Sequence, residues 1–296
     1  MKRLSIALLV LAVMAAVALF ATRPRVVDVT AVAAYEADAA NGERLFHAGG
    51  CGSCHGSDAG DAGADMLGGG LAMASPYGVF HVPNISTDPH DGIGAWSLQD
   101  FVSAMKAGTS PDGRHYYPAF PYASYARMSL EDLADLKAYL DTLPPVQSEI
   151  AVHDLAFPWN VRAGIGLWKM LNLDEAPVMT DLPDEQLVLR GRYLVEGPGH
   201  CGECHTPRDR LGGLVLERWL AGAPDPEGEG RVPNITPTGL EGWSRGDIAY
   251  YLSSGFTPDF DTVGGSMARV QKNMAKLPEE DLQAIAAYLK AIPVQD

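Results

Sequence analysis

The chain is 296 residues long, 47% hydrophobic and 20% charged, with a formal net charge of −15 at pH 7. That length holds two ordinary globular domains, and the acidic balance argues against a nucleic-acid partner, whose phosphates are met by basic surfaces. Such a surface suits basic protein partners and resists anionic lipid.

The N-terminus departs from this acidic character. In residues 1–25, "MKRLSIALLVLAVMAAVALFATRPR", Lys2 and Arg3 precede an apolar run from Leu4 to Ala21 broken only by Ser5. A helix over that run would be about 27 Å long, close to the roughly 30 Å of a hydrocarbon core. A cleaved signal peptide needs a shorter apolar stretch with a small-x-small site close behind it. Leu19-Phe20-Ala21 makes a poor site, and "AVAA" at 31–34 lies far downstream. An uncleaved transmembrane anchor is therefore expected, with the body of the protein exported.

The elements that follow occur twice. "NGERLFHAG" reads as a helix leading into "CGSCHG" at Cys51–Gly56, and "EQLVLRGRYLVEG" as one leading into "CGECHT" at Cys201–Thr206. "VPNI" begins at Val82 and again at Val232, the same 150-residue interval that separates Cys51 from Cys201. Ser97 and Ser244 each follow a tryptophan and precede an aspartate by three residues (Asp100, Asp247), a variant of the capping box. Gly108 and Gly255 are suited to stop the helices so begun. The last helix of each copy repeats its apolar face: Leu133, Leu136, Tyr139 and Leu140 against Leu282, Ile285, Tyr288 and Leu289. Four markers at nearly constant offset describe a duplicated unit of ordinary domain size. Between the copies, two prolines (Pro144, Pro145) mark a boundary, and "WNVRAGIGLWKML" reads as a short amphipathic helix that clamps the two domains together, with a membrane- or partner-facing helix as the less favoured alternative. No convincing strand pattern is present.

Cys-x-x-Cys-His is the spacing of a c-type haem attachment site: two thiols one helical turn apart bond the vinyl groups, and the adjacent histidine becomes the proximal iron ligand. The motifs therefore nominate Cys51, Cys54 and His55, with Cys201, Cys204 and His205, for two covalently bound haem c groups. A redox thiol pair would not require a histidine in both copies, and a four-cysteine zinc site would need the two motifs to converge. A flat apolar cofactor also explains how units with long Gly- and Pro-rich loops could fill a core. For the distal ligand, a methionine in the loop before the last helix is the usual donor. That loop holds Met267 and Met274 in the second copy, Met267 being better placed, and only Met128 in the first, with His115 as its rival. His47, His81, His90, His153 and His200 are read as structural. Trp96, Trp243, Asn84 and Asn234 recur in both copies, as propionate donors or as ordinary packing residues.

Together, Cys-x-x-Cys-His, "VPNIS…GIGAWSLQDF" and "GRHYYPAFPYASYARMSLEDL" resemble the cytochrome c subunits of membrane-bound bacterial dehydrogenases of the alcohol, gluconate and aldehyde type. The resemblance covers most of residues 40–295. It implies an all-α fold of two tandem class I cytochrome c-like domains with long loops, residues 36–145 and 183–296, joined by a linker at 146–182 and preceded by the membrane anchor at 1–25. It further implies a dihaem protein on the periplasmic face of the inner membrane. Such a protein would take electrons from a catalytic flavo-, quino- or molybdo-protein subunit and pass them to quinone or a respiratory oxidase. Members with "YPAMPY" place a methionine where this chain has Phe120, so the distal ligand of the first haem is the point of departure. Two alternatives stay open: a free-standing carrier to a terminal oxidase, and a dihaem peroxidase or thiosulfate-oxidising enzyme with one open iron site.

Overall fold

The computed structural model describes residues 2–56, 63, 65–225 and 230–294. Helix α1, Lys2–Ala21, is exposed from Arg3 to Ala21 apart from half-buried Ala18, and that stretch is long and apolar enough to cross a membrane. The strand of chain that leaves it is not loose. Thr22 is buried and donates its hydroxyl to the Ala18 carbonyl at 2.7 Å. The Val27 amide donates to Ser103 Oγ at 3.0 Å, and Tyr35 donates its hydroxyl to Asp135 at 3.2 Å. This strap of about a dozen residues is thus tied to the body at Val27 and Tyr35.

The first half is built from α2 (Ala39–Ala48), α3 (Cys51–His55), α4 (Leu98–Ala107), α5 (Tyr122–Tyr125) and α6 (Leu130–Leu140). Asp38 caps α2 by accepting from the Ala40 amide at 2.9 Å. Helices α2 and α6 cross at Gly42, where a Cβ would stand 2.0 Å from the Asp135 carbonyl oxygen. Only a residue without a side chain permits that approach. The apolar faces so joined include Leu45, Phe46, Phe101, Leu133 and Leu136, all buried.

The second half repeats the arrangement with α8 (Gln186–Glu196), α9 (Gly202–His205), α10 (Arg245–Ser254), α11 (Met267–Met274) and α12 (Glu279–Ala291). Here Gly191 lies on α12, its missing Cβ 1.9 Å from the Ala284 carbonyl oxygen. Both capping boxes form as the spacing predicts, at Ser97–Asp100 and Ser244–Asp247, and Gly108 and Gly255 end those helices with φ of 56° and 80°.

The structure is mostly helical, but it contains short strands that the sequence pattern does not announce. Ala72–Ser75 (β1) and Gly78–His81 (β2) form an antiparallel hairpin, to which Asp154–Leu155 (β3) adds from the inter-copy segment. Ala223–Pro224 (β4) pairs with Arg231–Val232 (β5) in the second half. These strands are two to four residues long, too short for alternation of buried and exposed side chains to register. The hairpin depends on the backbone instead: Gly78 has φ of 127° and sits where a Cβ would meet the Asp154 carbonyl oxygen at 2.2 Å. The expected inter-copy helix is present as α7, Gly164–Asn172.

Candidate functional site

Each cysteine motif occupies a single helical turn that follows directly on a longer helix. In the first half, Gly50 at φ 57° reverses the chain between α2 and α3, so that Cys51 turns back toward the core. In the second, His200 takes a positive φ of 39° before Cys201. No disulfide links the four cysteines. Burial, reinforced by the neighbouring cysteine of each motif, pushes the thiols of Cys51 and Cys201 up to about 12. They are therefore protonated at neutral pH, whereas a redox or metal-binding thiol depends on a stabilised thiolate. The two motifs also pack against different hydrophobic clusters, Cys51 in the first half and Cys201 in the second.

The histidines are held in matching ways. His55 Nδ1 lies 2.8 Å from the Pro83 carbonyl oxygen, and His205 Nδ1 lies 2.8 Å from that of Pro233. A carbonyl can only accept, so Nδ1 carries the hydrogen and Nε2 is left with its lone pair, the form a metal binds. Burial pushes both imidazoles below their ordinary value and keeps them neutral. The carbonyl oxygens of these histidines are pinned as well, accepting from the amides of Gly69 (2.9 Å) and Gly222 (2.7 Å). Pro83 and Pro233 belong to the two "VPNI" segments. In the sequence those segments stand only as markers of duplication; the signal of their role is the identical spacing from histidine to proline in both copies.

The distal candidates differ. Met128 is 2% exposed and lines a cavity with Cys51, Met105, Tyr125, Leu136 and Pro198. Met105 comes from α4, outside the loop expected to supply the ligand, and is a second thioether in the same cavity. Phe120 lies edge-on to Tyr116 and Tyr125, ring centroids 5.8 and 5.7 Å away, within an aromatic group. Met267 begins α11, half-buried against the second cluster, and Met274 at the far end of that helix is fully buried. The Nδ1 of His115 is taken up by Lys169, which donates to it at 3.1 Å. Asn84 donates to the Val146 carbonyl at 2.6 Å and to Ser148 at 3.0 Å, which makes it a fastener for the loop after α6. Trp96 and Trp243 pack against the two clusters.

The two motif segments lie against each other. Pro198, three residues before Cys201, closes the cavity around Cys51 and Met128. His200 meets Tyr125 edge-on at 5.5 Å, Ser124 donates to Glu203 at 2.9 Å, and Asn273 donates to Ser53 at 2.7 Å. Ala48, just before the first motif, is buried in the cluster of the second half.

The Cytochrome c family model matches residues 39–144. A "Diheme cytochrome c-type" protein of Cereibacter sphaeroides is 52% identical over 295 residues, covering 99% of this chain and 98% of that protein. The chain belongs to the cytochrome c family. Two further relatives are cytochrome subunits of dehydrogenases. The "Fructose dehydrogenase cytochrome subunit" of Gluconobacter japonicus is 35% identical over 92% of this chain, and the "Gluconate 2-dehydrogenase cytochrome c subunit" of Pantoea cypripedii is 35% identical over 86%. The chain spans 56% and 59% of their lengths. Membership implies covalently bound haem c, and this cytochrome's residues fit it: paired cysteines one turn apart, an imidazole with Nδ1 bonded to a carbonyl and Nε2 unprotonated, and buried thioethers nearby.

Proposed function

We propose that the chain is a dihaem electron carrier, built as two tandem class I cytochrome c-like domains (36–145 and 183–296) and held at the periplasmic face of the bacterial inner membrane by residues 1–25. It takes electrons from a catalytic dehydrogenase subunit and delivers them to quinone or a respiratory oxidase. The dehydrogenase partner is supported by the names of the fructose and gluconate dehydrogenase relatives, and the count of two by the Cereibacter relative. The anchor is supported by the length and apolar character of α1.

The observation that carries this reading is the repeated pair of imidazole–proline carbonyl bonds, His55 to Pro83 and His205 to Pro233. Each bond fixes the ring plane and the tautomer, so each Nε2 is presented to a metal without rearrangement. Cys51 with Cys54, and Cys201 with Cys204, would hold the group by thioether bonds, and Met128 and Met267 would be its methionine donors. When bound, haem supplies a one-electron iron couple whose potential depends on axial ligands and burial. Pro198 lines the cavity that holds Cys51 and Met128, and His200 meets Tyr125, so the segment before the second motif packs against the surroundings of the first.

The test is a haem-to-chain ratio by pyridine haemochrome, with redox titration and ferric spin state, on protein purified from native membranes. Two haems per chain, both low-spin, and a co-purifying dehydrogenase are expected. A ratio of one overturns the dihaem reading, and a high-spin ferric centre that turns over peroxide overturns the carrier reading.

A further inference from the structure

Helix α7 has two unlike sides. On one side, Gly166 lies against Thr22, the residue at which α1 ends; a Cβ there would come within 2.6 Å of the Thr22 carbonyl oxygen. One turn on, Lys169 is buried and donates to the carbonyls of Ala107 and Gly108, each at 2.7 Å, and to His115 Nδ1. Lys169 thereby satisfies the last carbonyls of α4. So α7 is clasped both to the body and to the point where the N-terminal helix emerges.

The other side is bare. Leu167, Met170 and Leu171 are 51%, 68% and 74% exposed, and the turn before the helix leaves Phe157 81% exposed with Val161 beside it at 49%. Single exposed apolar residues need no explanation, but several on one helix and its leading turn do. Charge sets this region apart too. In a chain of net charge −15, residues 155–173 contain no Asp or Glu, and neither do residues 1–27. Two acid-free stretches, distant in sequence, meet at Thr22 and Gly166. The charged side chains they bring toward that junction, Arg23, Arg25 and Arg162, are all cationic.

Depth decides what covers this face. A helix of 20 residues is about 30 Å long, the thickness of the hydrocarbon core. When α1 spans a bilayer, Thr22 stands at the headgroup level, and α7, in contact with Thr22, stands there with it. An amphipathic helix with aliphatic residues on one side, flanking cations and no carboxylates buries its apolar side at the headgroup–acyl boundary. We propose that α7 and its leading turn, residues 157–171, rest in the outer interface of the phospholipid bilayer as a second membrane contact. This contact is clasped to the anchor and sets the tilt of the haem-bearing body against the membrane. The inference rests on α1 being a retained transmembrane anchor.

The test uses the full haem-loaded chain in nanodiscs of phosphatidylethanolamine and phosphatidylglycerol, spin-labelled in turn through Leu11→Cys, Met170→Cys and Glu241→Cys. Collision with oxygen, which partitions into lipid, is compared with collision with a water-soluble nickel chelate. Oxygen is expected to dominate at 11 and 170, and the chelate at 241, an exposed position of the second half. Chelate access at 170 with oxygen dominance kept at 11 overturns the interfacial contact and leaves the anchor standing. Protection of 170 from both reagents also overturns it, in favour of a protein covering. A membrane-purified chain whose mass lacks residues 1–21 overturns the anchor and the inference with it.

Discussion

The two halves agree on one side of the candidate haem position and disagree on the other. On the histidine side they match in chemistry down to the bond: the same Nδ1–carbonyl contact at 2.8 Å, the same glycine amide on the histidine carbonyl. On the methionine side, the first half presents Met128 buried in one cavity with Met105 and Tyr125, whereas the second presents Met267 half-buried at the start of a helix. Their supports differ as well. Behind the second motif, Trp219 packs over Gly202 and donates to Tyr288 at 2.9 Å, and Tyr288 donates to the buried carboxylate of Glu196 at 2.7 Å. In the first half the matching Tyr139 is half-buried and contributes its ring, tilted against Phe46. The surroundings of the two cysteine–histidine segments are thus alike and those of the methionines differ, which on the dihaem proposal is where the two potentials would part.

The most severe way to break the comparison is to remove one attachment site at a time. Cys51→Ser with Cys54→Ser, or Cys201→Ser with Cys204→Ser, is expected to lower the haem content from two per chain to one, read by haemochrome. Equal loss from both pairs supports equivalent sites. Next in size, Gly42→Ala and Gly191→Ala each force a Cβ into a carbonyl and should cost about 3 kcal/mol or more in denaturant unfolding; the two should be nearly equal because the crossings are.

The distal side should then separate the halves. Met128→Leu is expected to lower one couple and Met267→Leu the other, each by on the order of 100 mV; spectropotentiometry that shows the same couple moving in both variants would sink the assignment. Tyr288→Phe leaves Glu196 and the Trp219 indole short of a partner and should cost about 2 kcal/mol, while Tyr139→Phe should cost under about 0.5 kcal/mol. Smallest, Ser97→Ala and Ser244→Ala each remove a capping box worth about 1 kcal/mol, with no change in either haem spectrum.

Much of this is legible in the sequence because it is local. The serine caps and the αL glycines are short patterns whose geometry follows from residues a few positions apart, and they form as read; the cysteine motifs each take the helical turn their spacing asks for. Gly42 and Gly191 stand in the helix patterns but their crossing role does not show, since the partner carbonyls at Asp135 and Ala284 are some ninety residues on. The β1–β2 hairpin escapes a sequence reading because four-residue strands carry no usable period. Met105 escapes it because the usual ligand loop lies elsewhere, and a helix residue reaches the same cavity from the other side. His115 resembles a ligand in the loop. Only the fold shows that Lys169, more than fifty residues later, takes its Nδ1.

The inter-copy segment has a consequence for motion. Its first residues are laced into the first half, where Val146 and Ser148 bond Asn84 and β3 extends the hairpin. Its last residues are stapled to the second, where Glu196 accepts from the amides of Val178 (2.7 Å) and Met179 (3.0 Å). The middle is held by Gly166 and Lys169. A linker so spent on contacts has little slack, and the halves do not swing apart as two modules on a free tether would. On the dihaem proposal, passage of charge between the halves is then governed by a standing separation, not by how often two wandering bodies meet. A lengthened linker should leave that rate nearly unchanged as long as the Pro198–His200 seam stays closed.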